Sequence, residues 1–197
     1  SLEGQYLRSS FNLNGNIFLS DNTPPDFHIN GKISLDTKNL PALAERFSLD
    51  MPFSDIDGVI DLNGSVGWSG TDWQQAHGSL VAQSRQIQLK KIALQDLSLS
   101  MYLERSSPAE IDLKGSLYGG KLAAAAHLQM AQETFPFQCA FQLSRLDLEK
   151  AVPVFSEKKK DIRGILDLTF RGSGSLRDIS SYTGKGAITI SEGHLWR

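Results

Sequence analysis

Apolar and polar residues alternate along most of the chain, and a two-residue period places the apolar set on one face of a β-strand. Phe11, Leu13, Ile17 and Leu19 step this way around Gly15, and Phe27, Ile29, Ile33 and Leu35 around Gly31. Ile60 and Leu62 flank Asp61, and Leu97, Leu99, Met101 and Leu103 alternate without a break. Ile111, Leu113 and Leu117 follow. The longest run is Phe135, Phe137, Cys139, Phe141 and Leu143, and Leu166, Leu168, Phe170 and then Ile188, Ile190 close the chain. Gly, Asn, Asp or Ser bounds nearly every segment, as antiparallel hairpins require. The pattern predicts a mainly β protein.

Two segments depart from it. Residues 39–47 offer Asn39 as a cap, Pro41 in the first turn, and Leu40, Leu43 and Phe47 at helical spacing. Residues 147–155 look similar, with Pro153 limiting the helix to about two turns. Both are expected to cap or plug whatever the strands enclose.

The two segments belong to a repeat. At an offset of 106 residues Leu40 meets Leu146, Ile56 meets Ile162, Gly58 meets Gly164, Asp61 meets Asp167 and Gly78 meets Gly184. Asp57-Gly58-Val59-Ile60-Asp61-Leu62 thereby recurs as Arg163-Gly164-Ile165-Leu166-Asp167-Leu168, and the alignment needs no net insertion. Units at 1–106 and 107–197, continuous with one another, follow from this. A repeated supersecondary unit points to an elongated, stackable architecture.

Composition narrows the class. Leu, Ile, Val and Phe supply 54 of 197 residues, enough for a folded chain. Twenty basic against 22 acidic side chains lack the basic excess of a nucleic-acid binder. The lone Cys139 forms no internal disulfide, and no Cys/His cluster suggests zinc. The longest aliphatic run, Leu122 to Ala126, falls far short of the roughly 18 residues of a membrane span. Ser1-Leu2-Glu3-Gly4 leads directly into strand-like sequence, and both ends read as cut, so a piece of a longer protein is expected.

No constellation for chemistry emerges. Gly172-Ser173-Gly174 lacks the last glycine of a dinucleotide loop, and Thr183-Gly184-Lys185-Gly186 lacks the spacing of a phosphate loop. His28, His77, His127 and His194 are scattered in sequence. Asp55, Asp57 and Asp61 form the densest acidic cluster, but Asp57 and Asp61 have the parity opposite to Ile60 and Leu62, that of a solvated face. Glu157-Lys158-Lys159-Lys160-Asp161 reads as a charged connector. Neither catalytic residues nor a metal or other cofactor is expected.

A resemblance adds a context. Leu113 to Leu122, with Tyr118-Gly119-Gly120, resembles a hairpin of the AsmA-like C-terminal domain family, the AsmA/YhdP/TamB type of bacterial envelope protein. Ile87 to Leu97, Phe135 to Leu148, Gly172-Ser173-Gly174, Gly184-Lys185-Gly186 and Ile190 to Trp196 resemble its other motifs, in the same order. The resemblance implies an elongated, curved antiparallel sheet whose repeated β units form an open groove, implicated in phospholipid movement between membranes or in outer-membrane assembly. It implies a periplasmic location, anchored to the inner membrane by segments outside this chain. Phospholipid or another acyl-chain lipid is the implied partner, with envelope proteins beside it, and no enzyme activity is carried over.

Physical reasoning reaches a similar fork. If the sheet closes, its apolar face makes an ordinary core; if it stays open, that face lines a channel that water disfavours by about 25 cal/mol per Å². The candidate lining residues are Ile60, Leu62, Leu97, Leu99, Met101, Leu113, Leu117, Phe137, Phe141, Leu166, Leu168 and Ile188. A purely structural or protein-binding envelope module, with a filled interior, is the alternative. A carbohydrate-active β enzyme would instead need a polar cleft with two carboxylates.

Overall fold

A computed structural model of the chain describes residues 2–6, 9–20, 23–41, 45, 56–70, 76–104, 107–130, 132–155 and 162–195. They form one eleven-stranded antiparallel sheet in which every strand pairs with its neighbours in sequence. The strands are β1 (Leu2–Tyr6), β2 (Ser9–Ser20), β3 (Thr23–Asp36), β4 (Ile56–Ser69), β5 (His77–Leu89) and β6 (Ile92–Leu103). They continue as β7 (Ala109–Leu117), β8 (Gly120–Leu128), β9 (Pro136–Asp147), β10 (Ile162–Ser175) and β11 (Asp178–Leu195). β1 and β11 do not pair with each other, so the sheet is open.

The expectation of two short helices is corrected. Among the described residues there is one α-helix, α1 (Leu148–Phe155), and one 3-10 turn, Thr37–Asn39. Leu40 and Pro41 continue the turn in helical conformation, while residues 42–44, 46 and 47 of the expected 39–47 helix lie outside the described residues. The physical difference is at the cap. Asp36, not Asn39, starts this turn, its carboxylate accepting the Lys38 N–H at 3.1 Å.

The repeat is real in the backbone, but its alignment also needs correction. The β4–β5 register recurs in β10–β11 pair for pair at 106 residues: Ile56–Leu89 as Ile162–Leu195, Leu62–Ala82 as Leu168–Ile188, Gly67–His77 as Ser173–Thr183. Both hairpins carry their irregularity at the same place, opposite Gly58 and Gly164, whose φ angles are 155° and 139°. β1–β2 recurs in β7–β8 at 111 residues, Leu2–Leu13 matching Leu113–Ala124. The strand ends Asp36 and Asp147 are also 111 apart, with Asp36–Val59 matching Asp147–Ile165. Leu40 is therefore not the counterpart of Leu146, and the first connection is five residues longer than the second.

Packing is sparse and local. Leu143, Leu146, Leu148 and Ala151 are buried together, with Leu117, Leu122, Phe141, Val152, Ile162, Leu166 and Leu168 against them. α1 thus turns its apolar side, Leu148, Ala151 and Val152, onto the apolar face of β9 and β10. Elsewhere only Ile87 and Ala109 are buried apolar residues among those described. The accessible surface is 14106 Å². A compact 21.7 kDa protein would expose about 9,200 Å². The chain spreads its apolar residues over a surface instead of gathering them in a core.

Candidate functional site

Residues directly opposed in an antiparallel pair share a face of the sheet. One such row crosses all eleven strands: Gly4, Phe11, Ile33, Leu62, Ala82, Leu99, Leu113, Ala124, Phe141, Phe170 and Gly186. It contains no polar side chain. The row beside it on the other face reads Glu3, Asn12, Lys32, Asn63, Val81, Ser100, Asp112, Ala125, Ala140, Arg171 and Lys185. The first row is apolar or glycine from edge to edge, and the second is polar except for Val81, Ala125 and Ala140.

All twelve candidate lining residues stand on the greasy face. Leu62, Leu99, Leu113 and Phe141 belong to the row just given, and Met101 is opposed by Leu80 and Ile111. Ile60 faces Leu35, Leu97 faces Ser84, Leu117 faces Leu94, Phe137 faces Leu128, Leu166 faces Leu146, and Leu168 lies between Leu143 and Ile188. They divide into two groups. Leu117, Phe141, Leu166 and Leu168 are partly buried against the cluster of Leu143, Leu146, Leu148 and Ala151. The others stay partly open, Ile188 most of all at 66% exposure.

An apolar cavity lies on this face over β2 to β6. Of about 280 Å³, it is lined by Leu13, Ile29, Ile33, Leu62, Val66, Leu80, Met101 and Leu103, over a floor of Gly31, Gly64 and Gly78. Glycine at the floor is a steric requirement of the close approach between neighbouring strands. A Cβ on Gly64 would stand 2.5 Å from the Ser79 carbonyl oxygen, and one on Gly31 would stand 2.7 Å from that of Asn12. Another depression, of about 500 Å³, has a mixed lining in which Glu3, Asn12, Lys32 and Asp61 stand beside Phe11 and Ile33. Leu13, Ile29, Ile33, Val66, Leu80 and Leu103 are lining residues that the candidate list omits. The signal for Leu13, Ile29, Ile33 and Leu103 was present as alternation in 11–19, 27–35 and 97–103, whereas Val66 and Leu80 belong to no run singled out in the sequence, and nothing there marks which alternating strands line one cavity.

Further along, Phe170 lies across neighbouring glycines. A Cβ on Gly172 or Gly184 would meet its ring at 2.9 and 2.6 Å. The glycine pairs that superficially resemble nucleotide loops are thus mid-strand positions making room for an aromatic ring. Phe27 and Trp68 stack at 5.0 Å at the opposite corner.

His28 and His77, far apart in sequence, meet at 5.5 Å over Gly67 on the outer face, but no group of three potential metal ligands forms among the described residues. Asp57 pairs with Lys38 at 3.1 Å, and Asp61 accepts the Ser34 hydroxyl at 2.7 Å. Both carboxylates are exposed, as their parity implied. Asp55 and the 157–161 connector lie outside the described residues. Asp147 has its carboxyl held below the usual range by its hydrogen bond to Lys150, whose ammonium is correspondingly raised. That pair belongs to the cap of α1, on the rim of the trough.

No described helix is long and apolar enough to cross a membrane. In comparison with known proteins, the AsmA family model matches residues 9–195. No curated protein and no solved structure matches the chain.

Proposed function

The chain belongs to the AsmA family, an envelope-associated family, and on that premise we propose that its trough shields lipid acyl chains. In this reading the chain is a periplasmic segment of an inner-membrane-anchored protein that helps move phospholipid between the two membranes, or helps assemble the outer one. The observation that carries it is the unbroken apolar row on an unclosed sheet, with only six buried apolar residues among those described.

The energetics favour a hydrocarbon guest. Apolar surface left in water costs about 25 cal/mol per Å², and each methylene transferred from water to the trough gains about 0.8 kcal/mol. A guest held this way needs no directional contacts, so the site acts by solvation and calls for no catalytic group, metal or other cofactor. The polar outer row keeps the other face wetted. Envelope proteins at the ends of the sheet are the second class of partner in this reading.

Native mass spectrometry of the purified chain, followed by lipid extraction, tests the proposal. Phospholipid retained in near-stoichiometric amount, and displaced by a fluorescent fatty acid, is expected. A lipid-free mass, with no uptake of the fatty acid, overturns it and leaves the structural envelope module.

A further inference from the structure

The polar face carries a pair of imidazoles that the acyl-chain reading does not use. Asn16, His28, Gly67 and His77 are directly opposed across β2 to β5, so both histidines stand on that face, on strands separated by β4. Strands two places apart in a sheet lie about 9–10 Å from each other. The two ring centres are only 5.5 Å apart, with their planes at 74°, so both rings lean inward over Gly67. Glycine makes that approach possible. A Cβ there would stand 2.7 Å from His28 Nδ1 and 2.8 Å from His77 Cε1, the carbon between the two nitrogens of that ring. Each imidazole therefore brings a nitrogen-bearing edge to the same point above the sheet.

The surroundings steady the pair. Phe18 meets the His28 ring edge-on at 5.8 Å. The Asp26 carboxylate, on the same face of β3, accepts the Ser69 hydroxyl. No third His, Cys, Asp or Glu joins the two imidazoles among the described residues. Neutral imidazole is a preferred ligand of zinc and copper. A tetrahedral ion bound by two imidazole nitrogens at about 2.0–2.1 Å holds the ring centres about 5 Å apart. The observed spacing is a small side-chain rotation away from that.

The geometry points to a divalent transition-metal site with two protein ligands, His28 and His77, that takes a cation of the zinc class and leaves its remaining positions to solvent. A bound ion ties β3 to β5 across β4 and stabilises these three strands, since the pair exists only in the folded chain. Histidines scattered along the sequence are joined here by strand register alone. The site lies on the face opposite the apolar row and stands whether or not that row holds lipid.

Zinc chloride titrated into the whole chain tests the assignment, with binding heat and the urea unfolding midpoint as readouts. A single zinc ion per chain is expected, with a midpoint that rises with zinc and not with magnesium. His28→Ala and His77→Ala should each weaken binding at least about tenfold, because one imidazole alone loses the gain of two linked ligands. His127→Ala, which removes an imidazole beside Glu110, should leave it unchanged. Gly67→Ala puts a methyl group where the rings meet and should weaken binding as well. Circular dichroism without zinc checks that each variant keeps its sheet, and His28→Gln and His77→Gln repeat the test should an alanine variant unfold. A midpoint indifferent to zinc overturns the site. So does binding that either histidine variant retains in full, or that falls equally with His127→Ala.

Discussion

Asp36 and Asp147 hold the same post in the two units. Each ends a strand, and each Oδ1 accepts the backbone N–H two residues on, from Lys38 at 3.1 Å and from Glu149 at 3.0 Å. The next contact is equivalent too, with its charges exchanged. Lys38 Nζ reaches Asp57 at 3.1 Å, whereas Glu149 Oε1 faces Arg163 Nε at 3.8 Å. Geometry at this joint recurs while charge does not, which marks the capping turn as the structural requirement and the ion pair as an accessory.

That distinction is measurable. Exposed ion pairs contribute less than about 1 kcal/mol. Exchanging Glu149 and Arg163 together is expected to leave the unfolding midpoint in urea nearly unchanged, with each single reversal shifting it slightly downward.

The cap itself carries more. Asp147→Ala removes the acceptor at the start of α1 and should cost about 1 kcal/mol at neutral pH. Lys150 Nζ lies 2.9 Å from Asp147 Oδ2 and lowers the Asp147 pKa in the folded chain. A lowered folded pKa stabilises above the unfolded carboxylate range and loses that contribution as pH falls through the folded value. Urea titrations should therefore show the deficit of Asp147→Ala shrinking below about pH 4.

Core and trough should respond differently to truncation. Leu146 is buried beneath α1, so Leu146→Ala should cost about 2–5 kcal/mol. Met101 lines the open cavity, and Met101→Gln should cost well under that while weakening fluorescent fatty-acid binding about tenfold, a loss near 1.4 kcal/mol. Equal destabilisation by the two would mean that the trough is packed.

Gly164 sits at φ 139°, where its Cβ would stand 3.0 Å from the Ser191 carbonyl oxygen, and Gly58 repeats the arrangement against Gln86. Gly164→Ala and Gly58→Ala are each expected to lower stability by more than about 1 kcal/mol. Thermal unfolding followed by circular dichroism would register both.

Strand identity was readable in the chain because alternation is local: Phe135 to Leu143 and Leu97 to Leu103 declare their faces residue by residue. The matching of Gly58 with Gly164 was readable as well, since an unusual backbone angle needs glycine wherever it recurs. The pairing of Leu40 with Leu146 misled, because apolar residues at similar spacing look alike whether or not they hold equivalent places. Only the cap contacts of Asp36 and Asp147 separate them. Likewise Leu117, Leu166 and Leu168 could not be told from Met101 in sequence, for all four alternate with polar neighbours. Which of them α1 covers depends on where residues 148–152 dock.

By itself the sequence determined the class of the fold, one apolar face, and a unit used twice, because these follow from period, turn residues and glycine positions along the chain. The tertiary structure decided that the sheet stays open and which apolar residues remain uncovered. Those outcomes depend on close approach between strands, as at Gly31, Gly64 and Gly78, and on where one short helix packs against β9 and β10.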